Sequence, residues 1–478
     1  MMISRRVFGA SLGMAGLAPQ GGGVSRAAGG IRAGAATACI TPHLGVRLGG
    51  PIAPMTSVSH VHEDLFARCL ALEAGGTPVA IVVCDLKFAS AVVFDEAKRL
   101  VREHAGLPGS RVLIASTHTH SAPRVIGAGQ DDPEAGYVRF AARRIADSVR
   151  LALNRLAPAR VGWGFGSKPE MVFNRRWFMK PGAVPANPFG ERNDQVRMNP
   201  VDSIPDLVKP AGPADPEVAV LSVQHADGRP LALLANYGLH YVGGFRLGDI
   251  SADYFGMFAT RVAGLLQCAD QDPPFVAIMS NGASGDVAGV DWSHPPPPSP
   301  DYARMRVVAD ALAAEVLRVR QTIEHRGETE LAMVQQDVDC AVRRPDASRL
   351  AWAREIWATA NSKDERTLGR SEKYAREAVL LAAYPPVVAL TLQALRIGEL
   401  AIASCPCEVF AETGLAIKRE SPLRCFVIEL ANDYRGYLPP ARHHALGGYE
   451  TWPARSSHLE VAAEEKIRTT MLGLLRQV

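Results

Sequence analysis

Residues 111–123 read RVLIASTHTHSAP. An apolar run, 112–115, stops abruptly at Ser116, and two histidines, His118 and His120, follow one residue apart. Apolar runs of four to eight residues bounded by turn signals suit strands buried on both faces. The same pattern recurs outward in both directions. PVAIVVCDL (78–86) breaks at Asp85, and PLALLANYGLHYVGG (230–244) breaks at Asn236 and His240. PFVAIMSNGASGD (274–286) breaks at Asn281 and Asp286, and ELAIASCPCEVF (399–410) at Glu408. CFVIELANDYRGY (425–437) closes on Tyr434 and Tyr437.

Between these runs lie stretches with apolar residues at helical spacing: 133–156, 254–266, 302–319, parts of 346–383, 409–420 and 459–475. Strands alternating with helices predict an α/β fold. Ligands of such sheets sit outside the carboxyl ends of the strands. The six polar endings therefore become candidates for one shared site. The residues show no internal repeat.

Composition narrows the function classes. The 478 residues are 47% hydrophobic and 21% charged, enough for a sizeable core, and the net charge of +3 comes without a basic cluster. Nucleic acid is thus not an expected partner. The first 30 residues read as an export leader. Arg5 and Arg6 precede a Gly/Ala-rich run, 7–18, too short to span a bilayer, and Ser4 and Phe8 flank the pair as in a twin-arginine signal. No other segment reads as a transmembrane span, so the expected location is periplasmic or secreted. The eight cysteines lack CxxC spacing and lie mostly in apolar runs, which favours buried thiols over disulfides. Residues 295–300 read as a stiff, exposed loop or linker. The Pro/Asn/Gly-rich stretch 176–216 reads either as a lid over a site or as a disordered surface insertion.

Zinc accepts imidazole nitrogen and carboxylate oxygen, usually four ligands in all, and a catalytic site keeps a position for water. His118, His240 and Glu408 offer those groups, though no local motif such as HExxH joins them. Several strand ends carrying the right groups raise the odds that they share a metal.

Taken in order, STHTHSAP, NYGLHYVGG, SNGASGDV, EVFAETGLAIKRESP and ANDYRGYLPP…GGYE resemble the neutral, non-lysosomal ceramidases. VHEDLFARCLAL, FNRRWF and DPEVAVL add to the resemblance, which runs from about residue 32 to about residue 455. It implies one large catalytic domain over 31–478, with mixed central sheets flanked by helices. It implies a zinc amidohydrolase that holds one zinc per chain and cleaves a lipid-like or other small N-acyl substrate. Carried across, the metal ligands are His118, His240, Glu408 and Tyr437. Tyr449, twelve residues past Tyr437, and Arg175 would stabilise an oxyanion. His120 would move protons. Tyr437 is an unusual ligand, because a phenol titrates near about 10 and the metal must displace that proton.

Other residues have supporting roles in this reading. In an extended segment side chains alternate, so His118 and His120 would point the same way. Asp286 and Asp85 would orient the ligating imidazoles, as carboxylates often do through the second ring nitrogen. For Asp286 the alternative is a cap on the turn after a strand. Asn281 joins them as a further residue near the site. His443 and His444 are expected at the rim, and Glu412 as structural.

The sequence also departs from the family. It ends after the 459–475 helix, so the family's C-terminal β-sandwich is expected to be absent. SAPRV replaces a Gly-rich turn and places Arg124 near the site, and GDVAGV replaces GDVSPN. Arg124 and Arg176 could then read an anionic or sugar-like substrate. A zinc hydrolase acting on an ester, a glycosidic bond or an N-acyl sugar is the alternative. A non-catalytic binding protein would have been signalled by replacement of His118 or Glu408, and both are present.

Overall fold

The computed structural model describes residues 28–48, 56–123, 125, 135–360 and 367–478. The expected leader, 1–30, lies outside them as far as residue 27, and so does Arg124.

Twelve strands form one branched sheet. In chain order they are β1 (Ala28–Cys39), β2 (Phe66–Ala74), β3 (Val79–Cys84), β4 (Val112–Ser116), β5 (Ala157–Ser167), β6 (Glu217–His225), β7 (Pro230–Tyr237), β8 (Val276–Asn281), β9 (Glu328–Ala341), β10 (Val387–Ile397), β11 (Leu400–Ser404) and β12 (Arg424–Ile428). Their pairing repeats three times. Within β1–β4, β5–β8 and β9–β12, the first three strands are antiparallel neighbours and the fourth lies parallel to the third. Parallel neighbours need a crossover, usually a helix. The helices Ala91–Ala105, Asp253–Leu265 and Ala411–Glu420 supply the three crossovers. A second helix follows the fourth strand each time: Ala135–Asn154, Ala303–Arg320 and Ala463–Leu475. Each of these packs on the first two strands of its own unit and on its crossover helix. The chain is therefore a threefold structural repeat, which the residues alone did not reveal.

The units meet through β1, which pairs with β9 at residues 28–30 and with β5 at residues 32–33. Alternate residues of these strands then face different cores. Ile81 and Val83 on β3, Leu113 on β4, Leu221 on β6, Ile278 on β8 and Ile402 on β11 share a central core. Their neighbours Val82, Ile114, Val220, Met279 and Ala403 enter three outer cores beneath the helices. This burial on both faces explains the continuous apolar runs. Each fully buried Leu, Ile or Val contributes about 1.5–3 kcal/mol of transfer free energy.

The stretch 176–216 is not a disordered insertion. Arg176–Met179, Val196–Met198 and Leu207–Pro210 pair as a small separate sheet. Residues 295–300 are exposed, as expected. The eight cysteines form no disulfide, and seven of them are buried. No described helix is long and apolar enough to cross a membrane.

Candidate metal centre

The carboxyl ends of the three parallel strand pairs point to one place. His118 and His120 follow β4, His240 follows β7, Glu408 follows β11, and Tyr437 follows β12. Two short backbone pairings fix the third unit there. Glu408–Val409 runs parallel to Tyr437–Leu438, with Glu408 opposite Tyr437. The segment after β12 also bonds back to the other units. Asn432 N donates to Ile114 O at 2.7 Å, and Glu429 N donates to Asn281 O at 3.2 Å.

His118, His240 and Glu408 form a closed triangle. His118 Nε2 lies 3.1 Å from His240 Nε2 and 3.4 Å from Glu408 Oε2, and His240 Nε2 lies 3.9 Å from the same oxygen. All three residues are buried. His120 Nε2 stands 3.3 Å from His118 Nε2, but its ring centre is 6.0 Å from that of His240. It is stacked on Tyr241 at 3.5 Å, at the partly open side of the cluster. The ligand atoms of His118, His120 and His240 also lie within 4.8 Å of one another, so His120 stands at the edge of the same cluster.

The hydrogen bonds around the triangle decide what it can bind. His118 Nδ1 lies 2.7 Å from the carbonyl of Lys87. His240 Nδ1 lies 3.1 Å from the carbonyl of Ser284 and 3.3 Å from its hydroxyl. A carbonyl only accepts, and the Ser284 hydroxyl already gives its proton to Glu429 Oε1 at 2.5 Å. Both Nδ1 atoms therefore carry the hydrogen, and both Nε2 lone pairs face inward. Burial, reinforced by the nearby Arg175 charge, holds His240 well below its ordinary pKa and so keeps the ring neutral. Glu408 is held ionised. Burial alone would raise its pKa, but the Arg175 charge and the Tyr434 hydroxyl beside it act to lower it. One of its oxygens accepts from Tyr434 at 2.9 Å, while the other, Oε2, is buried without a hydrogen-bond donor.

Three acceptor atoms thus crowd together with no proton between them. A buried arrangement of this kind costs free energy unless a cation joins it. A tetrahedral zinc with bonds of about 2.0–2.1 Å sets its donor atoms roughly 3.3–3.4 Å apart, close to the separations here. The donor set fits zinc.

Tyr437 sits beside Glu408 with its hydroxyl 3.1 Å from Arg175 Nη2. Burial pushes its phenol up, Glu408 adds to that, and Arg175 opposes it. Arg175 braces this corner through Nε and Nη2. It donates to Tyr437, to Gly285 O at 2.8 Å, and through Nε to Glu450 Oε1 at 3.0 Å. Tyr449 stands next to Tyr437, with ring centres 5.8 Å apart. Arg176, expected to read substrate, is buried on Glu450 and the Gly447 carbonyl instead.

Two glycines allow this closeness. A Cβ on Gly285 would sit 2.5 Å from Glu408 O. Gly436 has φ +73°, a left-handed conformation that disfavours side chains, and its carbonyl receives Glu408 N at 2.9 Å.

Several expectations need correction. His118 and His120 do converge, but not through an extended strand. His118 has φ +75°, a left-handed backbone of the sort that clusters at functional sites. Asp85 does not orient an imidazole. Its carboxylate bonds Arg68 at 2.5 Å and Phe66 N at 2.9 Å. Backbone carbonyls do that work here. Asp286 holds the frame: Oδ1 accepts from Ala411 N at 2.8 Å at the start of a crossover helix, Oδ2 accepts from Asn174 at 2.7 Å, and its carbonyl accepts from Arg175 N at 2.9 Å. The Asn281 side chain is buried without a hydrogen-bond partner, and only its carbonyl joins the network. His443 is not at the rim but fully buried, edge-on to Phe410 and 3.5 Å from Glu412, while His444 is half-buried. Glu412 is structural, paired with Arg442.

Sequence reasoning missed Ser284, Glu429, Tyr241 and Lys87. Glu429 is buried and ties two units together, since its Oε2 accepts from Val409 N at 2.7 Å and from Ser284 N at 3.2 Å. Lys87 is buried near Glu408, and burial lowers its ammonium to about 8 against the pull of that carboxylate.

Comparison with solved structures adds a name to this architecture. A ceramidase complexed with C2 superposes with a TM-score of 0.69, at 17% identity over 93% of this chain and 75% of its own. The fold is that of the neutral ceramidases. The neutral ceramidase from Pseudomonas aeruginosa superposes with a TM-score of 0.67, at 18% identity over 93% of this chain and 74% of its own. No family model and no curated protein matches the sequence.

Proposed function

We propose that this chain is an exported, zinc-dependent amidohydrolase of the neutral ceramidase family, cleaving an N-acyl bond. The observation that carries the metal is the buried triangle of His118 Nε2, His240 Nε2 and Glu408 Oε2, all acceptors and none with a donor between them. The ceramidase fold supports the reaction class. Export, to the periplasm or beyond, rests on Arg5, Arg6 and the apolar run after them.

In this reading His118, His240, Glu408 and Tyr437 hold one zinc ion. Bound zinc supplies a Lewis acid that makes water nucleophilic near neutral pH. Lys87 and Ser284 keep the two ligating rings aimed through their Nδ1 atoms. Arg175 holds the Tyr437 oxygen and balances the charge of Glu408 and Glu450. Tyr449, beside Tyr437, donates to the oxygen that gains charge in the transition state, a donor worth about 3 kcal/mol. His120, held flat against Tyr241, would take a proton at Nε2 from the attacking water and return it to the leaving amine.

The test is metal analysis of the purified full chain with a hydrolysis screen. The screen sets N-acyl sphingosines beside N-acyl amino sugars and simple esters. About one zinc per chain with amide cleavage supports the proposal. A well-folded chain that takes up no metal refutes it, and ester or sugar cleavage alone changes the bond.

A further inference from the structure

A cavity of ≈ 300 Å³ opens beside Tyr449. Its floor is aromatic. Trp452 lies edge-on to Tyr449 at 6.2 Å, and Tyr374 lies edge-on to Trp452 at 5.6 Å. Its rim is cationic. Arg370, Lys373 and Tyr374 occupy positions i, i+3 and i+4 of the helix Arg370–Ala382, so one helical face presents all three to the cavity. Arg197 adds a third cation from the small sheet, although it already pairs with the exposed Asp202 at 2.7 Å. The single carboxylate among the described lining residues, Asp194, does not offset them. Trp452 Nε1 donates to it at 2.8 Å, and this one carboxylate stands against three cations.

Floor and rim together match an amphiphile. An apolar chain would cover the aromatic rings. A neutral head would leave the two helix cations unmatched, whereas an anion would receive charge-assisted hydrogen bonds from both. We propose that the substrate is an N-acyl amide carrying a carboxylate or phosphate, seated on Arg370 and Lys373 with its scissile carbonyl toward Tyr449. The proposal rests on the amidohydrolase reading and narrows its substrate class.

Three probes of equal chain length test it: N-dodecanoylglycine, N-dodecanoylethanolamine and the phosphate ester of the latter. Dissociation constants are measured by calorimetry on the zinc-loaded full chain, and kcat/KM alongside. At least one acidic probe should bind about tenfold tighter than the neutral one, or roughly 1.4 kcal/mol. Whichever acid wins separates carboxylate from phosphate recognition. In the double variant Arg370→Gln/Lys373→Gln the ratio should fall to within about twofold of unity. Equal binding of all three probes, or an unchanged ratio in the variant, overturns the proposal. Preferential binding without turnover of any probe would count against the amidohydrolase reading while supporting the anion site. Turnover without preference would do the reverse.

Discussion

Ser284→Ala isolates the support behind one proposed zinc ligand. The Ser284 hydroxyl donates to Glu429 at 2.5 Å and faces His240 Nδ1 at 3.3 Å. Alanine removes both contacts but keeps the Ser284 carbonyl, which still faces that nitrogen at 3.1 Å. The ring therefore keeps its tautomer and loses one of its two restraints. Glu429 keeps its backbone donors, Val409 N and Ser284 N. Outer partners of a metal ligand typically carry about 10–100-fold in affinity. With one restraint left, the expected loss is near the lower end, about tenfold or roughly 1.4 kcal/mol. Folding should suffer by a similar amount, since an ordinary intramolecular hydrogen bond contributes about 0.5–1.5 kcal/mol. Zinc affinity is read by competition with a chromophoric chelator, and folding by urea denaturation of the metal-free chain. Wild-type zinc affinity in a variant with a lowered urea midpoint would refute the reasoning. Ser284 would then serve the fold and not the ligand.

Three further perturbations probe separate parts of the account. Glu450→Gln leaves Arg175 and Arg176 buried without their shared anion, and should destabilise the chain by roughly 3–5 kcal/mol in urea denaturation. Gly285→Ala forces a Cβ against the Glu408 carbonyl and should weaken zinc binding in the chelator assay, with wild-type affinity the contrary result. His458 is buried and its pKa is lowered to about 4, chiefly by burial, so the unfolded chain takes up a proton below about pH 6.5 that the folded chain refuses. The stability this ring contributes is present above that pH and lost as pH falls. Between pH 7 and pH 5 the loss should be about 2 kcal/mol, and His458→Gln should remove that part of the slope.

Residue types announced much of the site because strand ends concentrate polar groups there. Long runs such as 78–84 and 274–280 had to be buried on both faces, and they became the parallel strands. The antiparallel strands β1, β5 and β9 alternate with polar or small residues and gave no such signal. The helix Ala91–Ala105 was also not anticipated, and the threefold repeat lies in pairing order, which the residues do not encode as similarity. Near the metal centre the hidden groups are mostly backbone. Lys87 and Ser284 orient imidazoles with carbonyls that any residue offers, so no residue type marks them. Asp85 had the right type at a strand end, but Arg68 on the neighbouring strand claims it.

Zinc content of the wild type, His118→Ala and His120→Ala, measured side by side on purified full chains, tests the central claim most directly. His118 belongs to the closed triangle, while His120 meets it at one atom only. The expected result is one zinc in the wild type, none in His118→Ala, and one in an inactive His120→Ala. Loss of zinc from His120→Ala, or its retention in His118→Ala, would contradict the account.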